Sequence, residues 1–308
     1  MATTTTTQHS GPQGSAAPAA TRGKPALRRS SPRHRAGITA HYFALVITSL
    51  VFLAPVAYMV AASFAPASDT LAGFKVFDVT QWGLHNYSGV TASLSSDSTG
   101  HLWRFFLVSF TVTVAVVGLG LVVNSMAAFA LSRLEWKGRG IALLGILMLL
   151  IVPFEAVAVP MFYLYNDARN TLWIQIVPFI GNALSIFLFY SFFSGIPRSI
   201  DEAARLDGAG PWRIFTQIIA PISKPVYASV AILTFLTQWG AFLWPVLMVS
   251  EPNLRPLPLQ ISVFAGQLPP AWGQVMAFGV LLVLPVLVVF LVFQRWFIEG
   301  VASSAVKG

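Results

Sequence analysis

The sequence predicts an all-α, polytopic membrane protein with six transmembrane helices and a further helix on the cytoplasmic side. Of its 308 residues, 56% are hydrophobic and only 10% are charged, whereas about a quarter of the residues in a soluble domain are charged. Six apolar stretches approach or exceed the roughly 20 residues that a helix needs to cross a bilayer. These stretches are 42–64, 103–131, 141–165, 174–194, 226–250 and 273–296.

The N-terminal segment 1–40 differs from the rest of the chain. It is rich in Thr, Ala, Pro and Gly and has no apolar periodicity, so we expect a disordered basic tail. The apolar run that follows is longer than the core of a signal peptide, and we interpret it as a retained first span. Residues 41–308 are therefore predicted to form one six-span domain.

The orientation follows from the placement of the basic residues, because loops rich in Lys and Arg stay on the cytoplasmic side. Fifteen of the 19 lysines and arginines fall on one predicted side, in the tail, the second-to-third and fourth-to-fifth loops, and the C-terminal end. Both termini are therefore predicted to be cytoplasmic, in a multi-pass protein of the cytoplasmic (inner) membrane.

Composition also excludes several classes of function. The chain has no cysteine and its five histidines lack metal-ligand spacing, so a metal site is not expected. The net charge of +8 is spread over short loops beside the spans, which indicates contact with lipid headgroups and not with nucleic acid. No lysine lies in a phosphate-binding glycine loop, so any nucleotide must bind to another chain.

Proline occurs in five of the six predicted spans, where it removes a backbone hydrogen bond and bends a helix. The prolines are Pro55, Pro153, Pro160, Pro178, Pro245 and Pro285. The pattern is typical of a bundle bent around a pathway, and equally of the ordinary tolerance of membrane helices for proline.

A few polar or aromatic side chains within the spans are candidates for a substrate pathway. They are Glu155, Asn182, Gln238, Trp239 and Trp244. Together they could hydrogen-bond and stack a polar solute such as a sugar, or they could hold neighbouring helices together. Both interpretations stay open.

The loop 195–225 is unusually polar for this chain. Ser199 and Glu202 have the spacing of a capping box, which predicts a helix starting near Ile200. Asp201 and Arg205 are four residues apart and are expected to pair. Asp207 and Gly208 predict the end of that helix and a turn.

A second, amphipathic helix is expected after this turn. Gly210-Pro211 restarts the chain, and Ile214, Phe215, Ile218 and Ile219 recur at helical spacing until Pro221 ends the run. Chemistry alone leaves two interpretations open: a cap against the protein's own bundle, or a docking surface for a cytoplasmic partner.

The same loop resembles the membrane-spanning subunits of binding-protein-dependent ABC importers. Their signature, EAAxxxG and then IxLP after nine intervening residues, is matched in register, with Ala220 replacing the usual Leu. The matching residues are Glu202, Ala203, Ala204, Gly208, Ile218 and Pro221. "AAFALSRLEWKGRG" from Ala127 and the C-terminal "QRWFIEGVASSAVKG" are also similar to this family, and the second favours its carbohydrate-uptake branch of maltose-type six-span permeases.

The resemblance implies a role for each matching residue. Glu202, Ala203 and Ala204 would dock on a cytoplasmic ATPase, Asp207 and Gly208 would form the turn, and Ile218 to Pro221 would support the coupling helix. It also implies a second homologous permease subunit, two ATPase subunits that bind ATP and Mg²⁺, and an extracytoplasmic solute-binding protein. This chain would hold no cofactor and would be no enzyme.

Two other classes of function are compatible with six spans. An ion-coupled secondary carrier would work without an ATPase, but it usually needs several acidic or histidine side chains within the membrane, and the spans hold only Glu155. A structural membrane subunit would have no solute pathway.

Overall fold

The structure, a computed structural model, describes residues 32–96, 99–266 and 270–305. The chain divides into two units, Met1–Leu53 and Ala54–Gly308. In the first unit, the described residues belong to helix α1, which runs continuously over Pro32–Phe64. The helix therefore begins inside the segment 1–40 for which the sequence predicts disorder. The rest of that segment, 1–31, lies outside the described residues.

The second unit is built almost entirely of helices. After α1 they are α2 (His85–Ser93), α3 (Leu102–Arg133), α4 (Arg139–Leu149), α5 (Phe154–Leu164), α6 (Leu172–Ile180), α7 (Ala183–Ser194), α8 (Arg198–Leu206), α9 (Pro211–Ile214), α10 (Ala220–Ile222), α11 (Lys224–Trp239), α12 (Leu243–Met248), α13 (Ile261–Ala265) and α14 (Trp272–Ala305). A π-helical turn, Phe215–Ile219, joins α9 to α10. Short strands β1 (Ser95–Ser96) and β2 (Gly100–His101) pair antiparallel.

Four helical stretches in the described residues are long and apolar enough to cross a bilayer, and the number rises to six if each of two bent helix pairs counts as one span. The four are His41–Phe64, Leu102–Arg133, Leu172–Ser194 and Trp272–Gln294. They coincide with the predicted first, second, fourth and sixth spans. The all-α membrane fold is confirmed.

The other two predicted spans are interrupted. Instead of one helix over 141–165, α4 and α5 meet at 101°. Pro153 lies directly before α5 in an extended conformation, and its missing N–H cannot continue the preceding turn. The predicted span 226–250 is also not one helix, because α11 ends at Trp239 and α12 begins at Leu243. The helical segment 211–222 joins α11 at 78° instead.

The two largest apolar clusters among the described residues pack the bundle. One joins the C-terminal half of α3 to α7, α8, the 211–222 segment and α11, and includes Phe129, Phe189, Phe193, Ile214 and Ile219. The other joins α2, α3, α11, α13 and α14, and includes Phe105, Trp239 and Phe278. Helix α3 contributes to both clusters, so it is the element around which the second unit packs.

Asn124 on α3 holds the break between α6 and α7. Its Oδ1 accepts a hydrogen bond from the Asn182 backbone N–H at 2.9 Å, and its Nδ2 donates to the Ile180 carbonyl at 2.9 Å. One turn earlier, a Cβ on Gly120 would lie 3.3 Å from that carbonyl, so the helices cross closely. The side chain thus satisfies backbone groups that the break leaves free, which a low-dielectric membrane interior requires.

We expect Asn124→Leu to lower the free energy of unfolding in detergent by about 2 kcal/mol, because two backbone groups lose their partners. Thermal unfolding followed by circular dichroism measures the change. Val123→Ala is the control, since Val123 is the neighbouring residue but has an exposed side chain. Equal losses in the two variants would contradict the assignment.

Candidate functional site

The loop 195–225 packs against the bundle through one face. Ala204 of α8 is buried together with Ile214, Phe215 and Ile219 in the cluster that also contains Phe129 and residues of α7. Helices as short as those in this loop are not stable on their own, so burial of their apolar side chains against the bundle fixes the loop in place. The loop is therefore an ordered, packed part of the protein.

Helix α8 does not start with the expected capping box. Its first residue is Arg198, and its N-cap is Pro197, whose side chain makes no capping hydrogen bond. Ser199 and Glu202 lie within the helix and are exposed. The prediction was wrong because Pro197, whose φ is −56°, already has the backbone geometry that leads into a helix.

Asp201 turns inward and pairs with Arg133, not with Arg205 as the local spacing suggested. Arg133 Nη1 donates to Asp201 Oδ2 at 3.0 Å. Arg133 Nη2 donates to the carbonyl oxygens of Phe193 and, at 2.7 Å, of Ile196. A single guanidinium thus links the last residue of α3 to the end of α7 and to α8.

The end of α8 is the turn that the sequence predicts. Asp207 is the C-cap, and Gly208 follows with a φ of +77°. The Gly208 N–H donates to the Arg205 carbonyl at 3.0 Å and the Ala209 N–H to the Ala204 carbonyl at 2.9 Å. This is the Schellman pattern, in which a residue at positive φ closes the last turn of a helix. Gly210 then caps α9, with Pro211 as its first residue.

The exposed face of α8 carries Glu202, Ala203, Arg205 and Leu206. Leu206 has 90% of its surface exposed, so the described part of the chain leaves this apolar side chain almost uncovered. Ala204, which the resemblance placed on the docking face, is instead buried against the bundle. Helical geometry explains this, because Ala204 lies three residues after Asp201 on the same inward face.

The support segment differs in detail from the expected amphipathic helix. Ile219 is buried and Ile218 is half-buried within the π-helical turn. Pro221 does not end the helix, which continues to Ile222 before the chain bends at Ser223. Proline is tolerated there because it occupies the first turn of α10.

Three of the five pathway candidates make contacts within the bundle. The indole Nε1 of Trp239 donates to the Leu282 carbonyl and that of Trp244 to the Ile174 carbonyl, and both side chains are buried. The side chain of Asn182 caps α7 by accepting from the Ser185 N–H. Their polar atoms thus contribute to helix packing. Glu155 is exposed in the first turn of α5, apart from these contacts.

Gln238 lines a small cavity whose walls are partly polar and partly apolar. The cavity, of about 10 Å³, is also lined by Ser109, Thr113 and Gln175. Gln175 is buried, and its Oε1 has no hydrogen-bond partner among the described residues. This volume is about the smallest that can hold one water molecule. Ser109, Thr113 and Gln175 could not be predicted as site residues, because a single polar residue in an apolar helix gives no periodic signal.

Comparison with known proteins connects these features to a family. Residues 120–303 match the family of "binding-protein-dependent transport system inner membrane component". An arabinooligosaccharide transport permease of Halalkalibacterium halodurans is 30% identical over 270 residues, covering 86% of this chain and 94% of that protein. A trehalose/maltose transport permease of Thermococcus litoralis is 29% identical over 280 residues, covering 85% and 94%.

A solved structure has the same fold. It is a chain of a bacterial ABC transporter involved in the import of the acidic polysaccharide alginate, with a TM-score of 0.74 and 24% identity over 87% of this chain and 98% of that chain. The family match covers more than half of the sequence, including α8 and both bent helix pairs. The chain therefore belongs to the family of inner membrane components of binding-protein-dependent transport systems, as a multi-pass permease subunit of an ABC transporter that is not itself catalytic.

Proposed function

We infer that this chain imports a saccharide or a related polar solute by ATP-driven alternating access. It pairs with a second, homologous permease subunit, and an extracytoplasmic solute-binding protein delivers the solute. Two cytoplasmic ATPase subunits bind ATP and Mg²⁺ and supply the energy. The solute class is supported by the arabinooligosaccharide and trehalose/maltose permeases to which the chain is similar.

The two faces of α8 are the observation that carries the coupling role. Its inner face is fixed by Asp201 and Ala204, while its outer face presents Glu202, Ala203 and the almost fully exposed Leu206. Covering a leucine side chain contributes about 1.5–3 kcal/mol, so a protein partner that buried Leu206 would gain binding free energy. We assign the ATPase contact to this outer face.

The orientation of the chain follows from the same assignment. An ATPase docked on α8 requires the loop 195–225 to be cytoplasmic, and the excess of basic residues on that side favours the same arrangement. Both termini are then cytoplasmic.

For the solute contact we favour the polar cavity over the tryptophans. Gln238 and Gln175 line a cavity within the bundle, and Gln175 Oε1 has no hydrogen-bond partner among the described residues, while its Nε2 donates to the Leu254 carbonyl. The indole N–H groups, which are the only polar groups of Trp239 and Trp244, already have backbone acceptors. Glu155 is a second candidate for the solute contact, because its exposed side chain is accessible to a solute that passes along the bundle. Widening of the cavity during transport would let sugar hydroxyls replace water there.

Reconstitution into vesicles tests the proposed function. We expect uptake of a saccharide only when the second permease, the ATPase subunits, the binding protein and ATP are all present. Vesicles with this chain alone are the control. Uptake by this chain alone, driven by an ion gradient, would show a secondary carrier, and a complete complex that moves no solute would favour a structural subunit.

Leu206→Ser tests the docking face. We expect the affinity of the permease for the ATPase subunits to fall about tenfold, because loss of roughly 1.4 kcal/mol of apolar contact corresponds to that factor. Co-purification and binding titrations measure it. Ile222→Ser is the matched control, since Ile222 is an exposed aliphatic residue of the same loop but not of α8. Equal effects of both changes would contradict the assignment.

Gly208→Ser tests the turn that presents α8. We expect a loss of about 1 kcal/mol in stability, because a non-glycine residue is strained at the positive φ, and less uptake for each ATP hydrolysed. Gly210→Ser is the matched control: both positions have open space for a Cβ, but Gly210 has a φ of −73° at an N-cap, where serine is favoured. The two variants are compared by thermal unfolding and by the ratio of uptake to ATP hydrolysis.

A further inference from the structure

We propose that Arg133 is a positioning residue, which fixes the coupling helix α8 to the ends of α3 and α7 so that the three helices move as one body during transport. The inference rests on the proposed coupling role of α8 and adds the side chain through which its movement enters the bundle.

The geometry of the guanidinium is the first argument. Nη1 reaches α8 through Asp201 Oδ2 at 3.0 Å. Nη2 reaches the carbonyl oxygens of Phe193 in α7 and, at 2.7 Å, of Ile196 directly after α7. A planar fork holds these directions at the same time, whereas a lysine ammonium acts as a point charge on a flexible chain. The contact therefore fixes the direction of α8 as well as its distance from α3.

Burial is the second argument. The side chains of Arg133 and Asp201 are only 3% and 8% exposed, so water and salt screen the pair little. Arg198 and Glu135 also form an ion pair, at 3.6 Å, but their side chains are 58% and 83% exposed. An exposed pair of this kind contributes little. Of these two ion pairs, only the buried Arg133–Asp201 pair is strong enough to keep α8 in position when a partner moves it.

The third argument concerns the end of α7. The last carbonyl groups of a helix have no partner within it and carry partial negative charge. Arg133 places a cation there through the Phe193 carbonyl. Within the described residues, Asp201 Oδ1 and Arg133 Nε have no hydrogen-bond partner. If the ion pair breaks, these two atoms therefore provide no other hydrogen bond that would keep α8 in place.

The pair therefore gives direction more than stability. Replacing a buried ion pair by apolar residues of similar size is often neutral for stability, whereas removing one partner leaves an uncompensated charge. This difference separates a positioning role from a merely structural one. Apolar residues at both positions would restore the packing but not the directional hydrogen bonds of the guanidinium.

The first experiment uses the complete reconstituted transporter. Asp201→Asn, Arg133→Lys and the double change Arg133→Met with Asp201→Leu are compared with Glu135→Gln, which breaks the exposed pair. We expect the first three to raise the ATP hydrolysed per solute imported about tenfold, and Glu135→Gln to leave the ratio unchanged. An unchanged ratio in the double variant, with the complex assembled, would overturn the proposal. If the single variants fail to assemble, the double variant decides, since it leaves no unpaired buried charge.

The second experiment measures the rigid body directly. The chain has no native cysteine, so Ser199→Cys and Leu119→Cys place spin labels on α8 and α3 of this chain alone. Ser199 is exposed and lies outside the proposed docking face, and Leu119 precedes Arg133 by about 21 Å along the helix. We expect one narrow distance distribution, equal with and without ATP, and a broad one after the double change. A distance that shifts with ATP while Arg133 is intact would overturn the proposal.

The two experiments separate failure of the inference from failure of the proposed function. Cross-linking of Ala203→Cys to the ATPase subunits reports whether α8 docks there at all. Absence of that cross-link would contradict the proposed function, whereas a cross-link together with an ATP-dependent change in the label distance would contradict the role of Arg133 alone.

Discussion

The contact on which the packing of α8 against the bundle depends is the ion pair between Arg133 and Asp201. Two charges taken out of water cost several kcal/mol each unless their hydrogen-bonding groups find partners. Here the guanidinium meets one carboxylate oxygen and two carbonyl oxygens at the end of α7. These three contacts offset part of the cost at the place where α3, α7 and α8 come together, while Asp201 Oδ1 and Arg133 Nε have no partner among the described residues. Around it, the apolar cluster of Phe129, Phe193 and Ala204 excludes water.

This contact also explains why α8 has two faces with different chemistry. Asp201 and Ala204 are three residues apart and both face the bundle. Asp201 pairs there with Arg133, and the small side chain of Ala204 packs against the apolar cluster. Fixing them turns the residues between and after them outward, including the exposed Leu206. The Schellman turn at Gly208 then ends the helix directly after this exposed face. An exposed surface on a firmly held helix is what a docking element needs.

Local signals in the sequence were sufficient for features that local geometry decides. The turn at Gly208, the restart at Gly210-Pro211 and four of the spans follow from glycine, proline and apolar length. The partner of Asp201 could not be predicted in this way, because the nearby Arg205 satisfies the helix-spacing rule while Arg133 lies 68 residues away. The tryptophans within the spans were similarly ambiguous, since an indole N–H serves a solute and a backbone carbonyl equally well. Pro153 predicted a bend and not its angle of 101°.

The bends and the ion pair together suggest how movement passes through the loop. On one side of α8, Arg133 joins it to α3, a 32-residue helix that crosses the bundle. On the other side, the chain passes through a π-helical turn and bends by 78° before α11, and such irregular segments bend more easily than a regular helix. A displacement of α8 would therefore pass into α3 and α7 more directly than into α11. Nucleotide can shift the transport equilibrium only through contacts that differ between the two transport states. The connection of α8 to α3 and α7 is stiff, whereas its connection to α11 bends more easily. Docking of a partner on α8 would therefore tilt α3 and α7.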